Sequence, residues 1–234
     1  MLHFERMGYV RRFTDRAAAG RALAPIIDEV APARRVVLGL PRNGIITAAP
    51  IAEMLGAPLA VAWVRRLIAP REPDVVLGAV DLDGDVTLNP AAASAEGLSE
   101  DFIAALASRA HARLRELWAR SPGPDPAALL PGATAILVDD SVNTGLSMIA
   151  AVRWARLKLA RRVIAAVPIV DARIWSHIAE EVDVAVTVEE RRDGPIARSE
   201  VYEDFRRVGE REVDALFRGR SELSRTPVVE PSAR

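Results

Sequence analysis

The stretch from Thr134 to Met148 reads TAILVDDSVNTGLSM, and its interpretation decides the fold. Ala135 to Val138 is a short apolar run with β-branched residues, the pattern of a buried strand. Asp139 and Asp140 follow it, and two neighbouring carboxylates cannot both be buried cheaply. Successive strand residues point to opposite sides, so at least one of the two is expected to face a ligand hydroxyl, a bound cation or solvent. Next come Ser141, Val142, Asn143, Thr144, Gly145, Leu146 and Ser147, mostly small or hydroxyl-bearing, leading into a helix. Backbone N–H groups converge at such a helix start and form an anion cradle, for which phosphate is the natural occupant.

Working outward, the same strand, tight turn and helix occur once earlier. Arg35 to Leu40 is apolar, Pro41-Arg42-Asn43-Gly44 is a turn, and Ile45 to Leu55 is a helix closed by Gly56. Before it, Thr14 or Asp15 is placed to cap a helix through RAAAGRALAPII, bent or divided at Pro25. After it, Leu59 to Val64 is a third strand, ending at the pair Arg65 and Arg66. Residues 68–96 change texture: a Pro-rich charged segment suited to a mobile loop, then Leu77 to Val80 and Asp85 to Leu88 as a hairpin around Asp83-Gly84. Ser99 caps a long helix to Arg120, and Ser121 to Pro131 is a connector. Beyond the opening stretch lie a helix Ser147 to Leu159, a strand Val163 to Val170, a helix capped by Asp171 and a strand Val182 to Val188. This alternation predicts an α/β fold: a mainly parallel twisted sheet with helices on both faces and a small hairpin insertion, with ligands at the strands' C-terminal ends. One domain is expected over 1–220, with 189–218 as a C-terminal hood and helix and 221–234 as a disordered tail.

Composition narrows the function classes. Of 234 residues, 50% are hydrophobic and 27% charged, ordinary for a soluble globular protein, and no apolar run approaches a membrane span. The N-terminus, MLHFERMGYVRRF, is too charged for a signal peptide, so a cytoplasmic location is expected. With no cysteine and only His3, His111 and His177, thiolate and histidine metal sites are excluded, and any metal is a hard cation held by oxygens. A net charge of −1 argues against nucleic acid as the partner of the whole surface. Lys158 is the only lysine, so arginine where lysine is customary says little about chemistry here.

ILVDDSVNTGLS resembles the ribose-phosphate recognition motif of the type I phosphoribosyltransferases. VVLGLPRNG, VRRLIAPREPDVVLGAV and VYEDFRRVGEREVDALF, in that order, extend the resemblance over roughly residues 13 to 217, toward a group of small bacterial members with poorly assigned substrates. The resemblance implies a Mg²⁺-dependent transferase that uses phosphoribosyl diphosphate and a small-molecule acceptor, expected to offer a nucleobase-like nitrogen, and it implies a homodimer. It makes Asp139 and Asp140 the binders of the ribose hydroxyls, with either as a possible Mg²⁺ contact though the metal is carried mainly by substrate. Ser141, Val142, Asn143, Thr144, Gly145, Leu146 and Ser147 become the 5-phosphate cradle. Pro41, Arg42, Asn43 and Gly44 become the diphosphate loop, in which Asn43 departs from the usual pair of glycines but tolerates a positive φ. Arg66, and less firmly Arg65, is assigned to the diphosphate; Arg71 and Glu72 fall in the segment that resembles the mobile catalytic loop. Tyr202, with Asp204 and Phe205, lies where nucleobase-using relatives recognise the base, and of the two aromatics Phe205 is the one expected to pack. No general base is visible.

The bland readings are an ordinary turn at 41–44, a solvated strand end at Arg65-Arg66 and a nucleotide hydrolase at the acidic pair. The last needs a GxxxxGK[ST] loop, which is absent. A non-enzymatic sugar-phosphate or nucleotide sensor on the same fold is the rival function, suggested by Asn43, Ser141 and Asn143. Hydrolase chemistry is disfavoured because GLSMI lacks the second glycine of a nucleophile elbow.

Overall fold

The structure, a computed structural model, describes residues 2–5, 12–32, 34–192 and 196–223. Its elements in chain order are β1 (Leu2–Glu5), α1 (Arg16–Val30), β2 (Arg35–Gly39), α2 (Asn43–Met54), β3 (Leu59–Val61), β4 (Val64–Ile68), β5 (Val76–Asp81), β6 (Val86–Leu88) and α3 (Pro90–Ala95). They continue with α4 (Glu100–Arg120), α5 (Pro126–Leu129), β7 (Thr134–Val138), α6 (Leu146–Leu157), β8 (Arg162–Asp171), α7 (Ala172–Glu181), β9 (Val184–Arg191), α8 (Arg198–Val201) and α9 (Glu210–Leu223).

Among the described residues six strands pair in parallel in the order β1-β9-β8-β7-β2-β3. The chain leaves β2 toward β3 on one side and leaves β7 toward β8 on the other. The switch point of the sheet therefore lies between β2 and β7, and a crevice opens at their C-terminal ends. Their register runs from Arg35 opposite Thr134 to Gly39 opposite Val138, so both strands end level. The two turns singled out in the sequence, 41–44 and 139–145, consequently stand side by side.

Strand alternation distributes the core. Ile136 and Val138 face α1 and α2, in a cluster with Leu23, Ile27, Ile45 and Ile51. Ala135 and Leu137 face α6 and α7, with Val152, Trp154, Trp175 and Ile178. Helices thus cover both faces, and the strands are buried on both, which explains their continuous rather than alternating apolar runs.

The run Leu59 to Val64 departs from expectation. It is not one strand: β3 closes the edge of the parallel sheet, and from Val64 the chain joins a separate antiparallel sheet, β4-β5-β6, covered by α4 through Leu67, Ala69, Leu77, Val80, Ala107 and Ala110. The hairpin of the sequence is therefore two-thirds of a three-stranded hood, and Arg65-Arg66 lies inside its first strand rather than at a strand end. α1 passes through Pro25 unbroken to Val30. The edge strand β1 and the short helices α3 and α5 have no counterpart in the sequence reading. The tail expected at 221–234 lies, from 224 on, outside the described residues; α9 itself runs to Leu223. Among the described residues no helix is long and apolar enough to cross a membrane.

Candidate active site at the strand ends

The acidic pair sits where β7 runs out, and the two side chains part company. Asp140 continues the face of Ile136 and Val138, toward α1, and is 2% exposed. Its carboxylate accepts from Arg16 Nε at 2.8 Å, and its carbonyl accepts from the Tyr202 hydroxyl at 2.7 Å. Asp139 lies at the floor of the crevice, packed round by protein yet still partly open to solvent. Burial pushes its carboxyl well above the usual carboxylate range, the Asp140 charge adds to this, and Arg66 opposes it. Of the two carboxylates, Asp139 is the more exposed.

The turn after β2 is brought directly onto Asp139. Leu40 N–H donates to the Val138 carbonyl at 2.8 Å, extending the β2–β7 ladder into the turn. A Cβ on Gly44 would lie 2.6 Å from that carbonyl and 3.0 Å from Asp139 Oδ1, so only glycine permits this approach. Arg42 caps α2 with φ 70° and ψ −87° and makes no side-chain cap. This is the region of the strained γ-turn, sparsely populated by any residue with a Cβ and costing about 1–3 kcal/mol. Asn43, which tolerates a positive φ, does not adopt one: the positive φ of this turn is at Arg42, and Asn43 begins the helix. Pro41 and Asn43 are half-buried beside an exposed Arg42.

The turn after β7 is open in the same direction. Ser141 and Val142 are half-buried, while Asn143 and Thr144 are exposed. Gly145 caps α6 with φ 77°, and a Cβ there would also meet Ile178 at 3.3 Å. No side chain caps α6 among the described residues, so the N–H groups at its start, from Leu146 and Ser147 onward, form the donor end of a helix dipole.

Arg65 and Arg66 do not act as a pair. As neighbours within β4 they point to opposite faces: Arg66 is exposed and close enough to Asp139 to lower its pKa. Arg65 shares the face of Leu67 with α4; its pKa is lowered first by burial and then by the charges of Arg42 and Arg113. Arg113 went unnoticed in the sequence because one arginine among many on a helix carries no signal. Arg71 and Glu72 are exposed in the segment joining β4 to β5, which closes on itself through Val75 N–H to the Glu72 carbonyl at 3.0 Å.

Tyr202 requires a correction. Its ring is fully buried, tilted against Phe13 at 6.2 Å with the Arg16 guanidinium 5.4 Å from its centre, and burial raises its hydroxyl pKa. No acceptor can stack on it. Phe205, read as the packing residue, is instead 48% exposed. The exposures of the two aromatics are the reverse of those expected because the segment 202–204 pairs with residues 13 and 14, which the sequence gives no means of seeing.

Among the described residues there is no group of three ligating His, Asp or Glu side chains. One reachable carboxylate among arginines suits a hard cation that arrives on an anionic ligand's own oxygens better than one caged by protein. Two cavities, of about 470 Å³ near Arg35 and Pro58 and about 370 Å³ near His111 and Trp154, lie away from these groups. The first is at the opposite, N-terminal ends of β2 and β3, so the convergent chemistry, not enclosed volume, marks the site. His111 is held to the Leu82 carbonyl at 2.9 Å in the hood and supplies no base to the crevice.

A strained turn and an uncapped helix start converge on one carboxylate at a sheet switch point, and residues 13–212, which contain all three, match the phosphoribosyl transferase domain model. The chain belongs to the phosphoribosyl transferase domain family. Two Mycobacterium tuberculosis proteins, MT0597 of strain CDC 1551 and Rv0571c of strain H37Rv, both carrying provisional phosphoribosyl transferase names, are 35% identical to it over 185 residues. That match takes 76% of this chain but only 40% of theirs, so the chain spans less than half the length of these relatives. The crystal structure of the protein TT1426 from Thermus thermophilus is 33% identical, with a TM-score of 0.72 over 88% of this phosphoribosyl transferase domain and 97% of that protein. The fold is thus shared, over most of both chains, with a solved protein.

Proposed function

We propose that the protein is a phosphoribosyltransferase that takes phosphoribosyl diphosphate with Mg²⁺ and transfers ribose 5-phosphate to a nitrogen of a nucleobase-like acceptor. The observation that supports this most is the meeting of Asp139, the Gly44 turn and Arg66, with the uncapped start of α6 following Asp139 a few residues on in the chain. Such a site offers hydrogen-bond acceptance for sugar hydroxyls flanked by two separate anion-binding elements, and a sugar carrying phosphate at both ends is the ligand that uses all three.

In the reaction the bond from C1 to the diphosphate oxygen breaks with its electron pair leaving on diphosphate, a C1–N bond forms, and the acceptor nitrogen gives up a proton to solvent. The developing positive charge at C1 asks the protein for position and electrostatics rather than a nucleophile. Asp139 holds the ring through its hydroxyls, the N–H groups of 141–147 hold the 5-phosphate, and Arg42 and Arg66 stabilise the departing diphosphate. Mg²⁺, if carried in by the substrate, would supply further charge neutralisation there, and Asp139 is the residue that would offer it a protein oxygen.

Titration calorimetry with phosphoribosyl diphosphate and Mg²⁺ tests the reading. Wild-type protein is expected to bind and Asp139→Asn to lose binding, and a panel of nucleobases is expected to release diphosphate in at least one case. No binding by wild type rejects the proposal; binding without release for any acceptor favours a sugar-phosphate sensor on the same fold.

A further inference from the structure

We propose a second ligand site at the end of α6 away from the crevice: the cavity of about 370 Å³ between the hood and the core binds a small planar anion, an aromatic ring carrying a phosphate or a carboxylate. A volume of this order lies in the range of small-molecule sites, roughly 300–1,000 Å³. The inference does not depend on the substrate reading above.

The walls of this cavity are held in place. The turn after β5 is fixed by the buried Asp81, whose Oδ1 accepts from the N–H groups of Asp83, Gly84 and Asp85, each at 3.0 Å. His111 of α4 donates from Nε2 to the Leu82 carbonyl at 2.9 Å. A Cβ on Gly84, whose φ is 99°, would lie 3.3 Å from that imidazole, so turn and helix are closed on each other. Arg115 and Trp118 follow His111 by four and seven residues and share its face of α4. From the core side Lys158, the chain's only lysine, ends α6 and reaches across to Asp83 Oδ2 at 2.7 Å, its ammonium 5.8 Å from the centre of the Trp154 ring. The twelve residues of α6 put about 18 Å between its start, at the cradle, and Lys158.

The class of ligand follows from which polar groups are already spent. Asp83 is paired with Lys158, and Asp125 accepts from the Ala127 N–H at 3.0 Å as the cap of α5. What remains is mostly donors. Arg115 makes no ion pair or hydrogen bond among the described residues, Lys158 keeps two further N–H groups, and His111 has Nδ1 to offer. The buried indole N–H of Trp154 has no acceptor among the described residues either. The two acids offset the two permanent cations, so the preference for an anion comes from the free donors and not from net charge. An unpaired guanidinium takes carboxylate or phosphate through two parallel hydrogen bonds, and the flat apolar surfaces of Trp118 and Trp154 favour a ring beside it.

The experiment uses the full chain labelled with ¹⁵N at its four tryptophans, Trp63, Trp118, Trp154 and Trp175, whose indole N–H signals report separately. Phenyl phosphate and benzoate are the probes, with inorganic phosphate and benzyl alcohol as the anion and the ring alone. At least one probe is expected to shift the Trp118 and Trp154 signals and to leave Trp175 in place, with Trp118→Phe identifying the first signal. A preference between the probes tells phosphate from carboxylate as the anionic group. Arg115→Gln is expected to weaken binding about tenfold, the loss of a hydrogen bond to a charged group, and Lys158→Gln about threefold or more. Unmoved Trp63 and Trp175 signals in the ligand-free variants show that both are folded. The shifts are expected to persist in Asp139→Asn; their loss there overturns the proposal, since the anion then sits in the crevice. Three other results overturn it as well: neither probe moving Trp118 or Trp154 below about 10 mM, wild-type binding in folded Arg115→Gln, or benzyl alcohol or inorganic phosphate binding as tightly as the probes.

Discussion

Asp139 is a carboxyl group whose surroundings oppose its charge: burial and the neighbouring Asp140 raise its pKa well above the usual range, against a smaller pull from Arg66. The ligand-free folded state therefore keeps a proton that the unfolded chain has already released, and stability falls as pH rises from the ordinary carboxylate range toward that raised value. Asp139→Asn has nearly the same shape and no charge to bury. It is expected to raise the melting temperature at neutral pH, by a margin that shrinks as pH is lowered toward about 4, where the wild-type carboxyl is protonated as well. Melting curves across this range check the sign, and an unchanged or lower midpoint at neutral pH counts against it. A residue that destabilises the resting protein is a common mark of a working site. Sequence alternation foretold that one acid of the pair faces outward; which one depends on the face that α1 covers.

At the level of elements, the site depends on how two strand-to-helix turns are cut. The β2–α2 turn has to pass beside β7, and Gly44 is the point of contact, 2.6 Å from the Val138 carbonyl if it carried a Cβ. Gly44→Ala is expected to cost about 1–3 kcal/mol, the range for overpacking a filled space, by urea unfolding. It should weaken ligand binding as well, because the turn is pushed off Asp139; a variant as stable as wild type shows that the turn can shift freely. Both turns were legible as Pro-Arg-Asn-Gly and Asn-Thr-Gly motifs ahead of apolar helices, since glycine punctuates chains for local steric reasons. The break between β3 and β4 was not legible. Both carry apolar residues through the same run, and the change of sheet is set by where α4 lies, not by a local signal.

For the whole molecule, the C-terminal segment is part of the structure that holds the site. Phe217, far along the chain from the acidic pair, is 3% exposed and belongs to the cluster that includes α1 and α2; a Cβ on Gly123 would lie 3.1 Å from its ring. Phe217→Ala is expected to destabilise the domain by about 3–5 kcal/mol in urea unfolding, the usual loss for a buried aromatic. A loss below about 1 kcal/mol would mean that α9 packs independently of the core. By itself the sequence determined the α/β class, the two site turns and the family resemblance, because apolar periodicity, glycine placement and a contiguous motif are local properties of the chain. Only the tertiary structure decided that Asp140 faces Arg16, that Arg65 and Arg66 part to opposite faces, and that Tyr202 is buried while Phe205 is not. Those outcomes depend on elements far apart in the chain, as with Arg16 and the Arg206 carbonyl, and no local pattern records which distant element will occupy a given face.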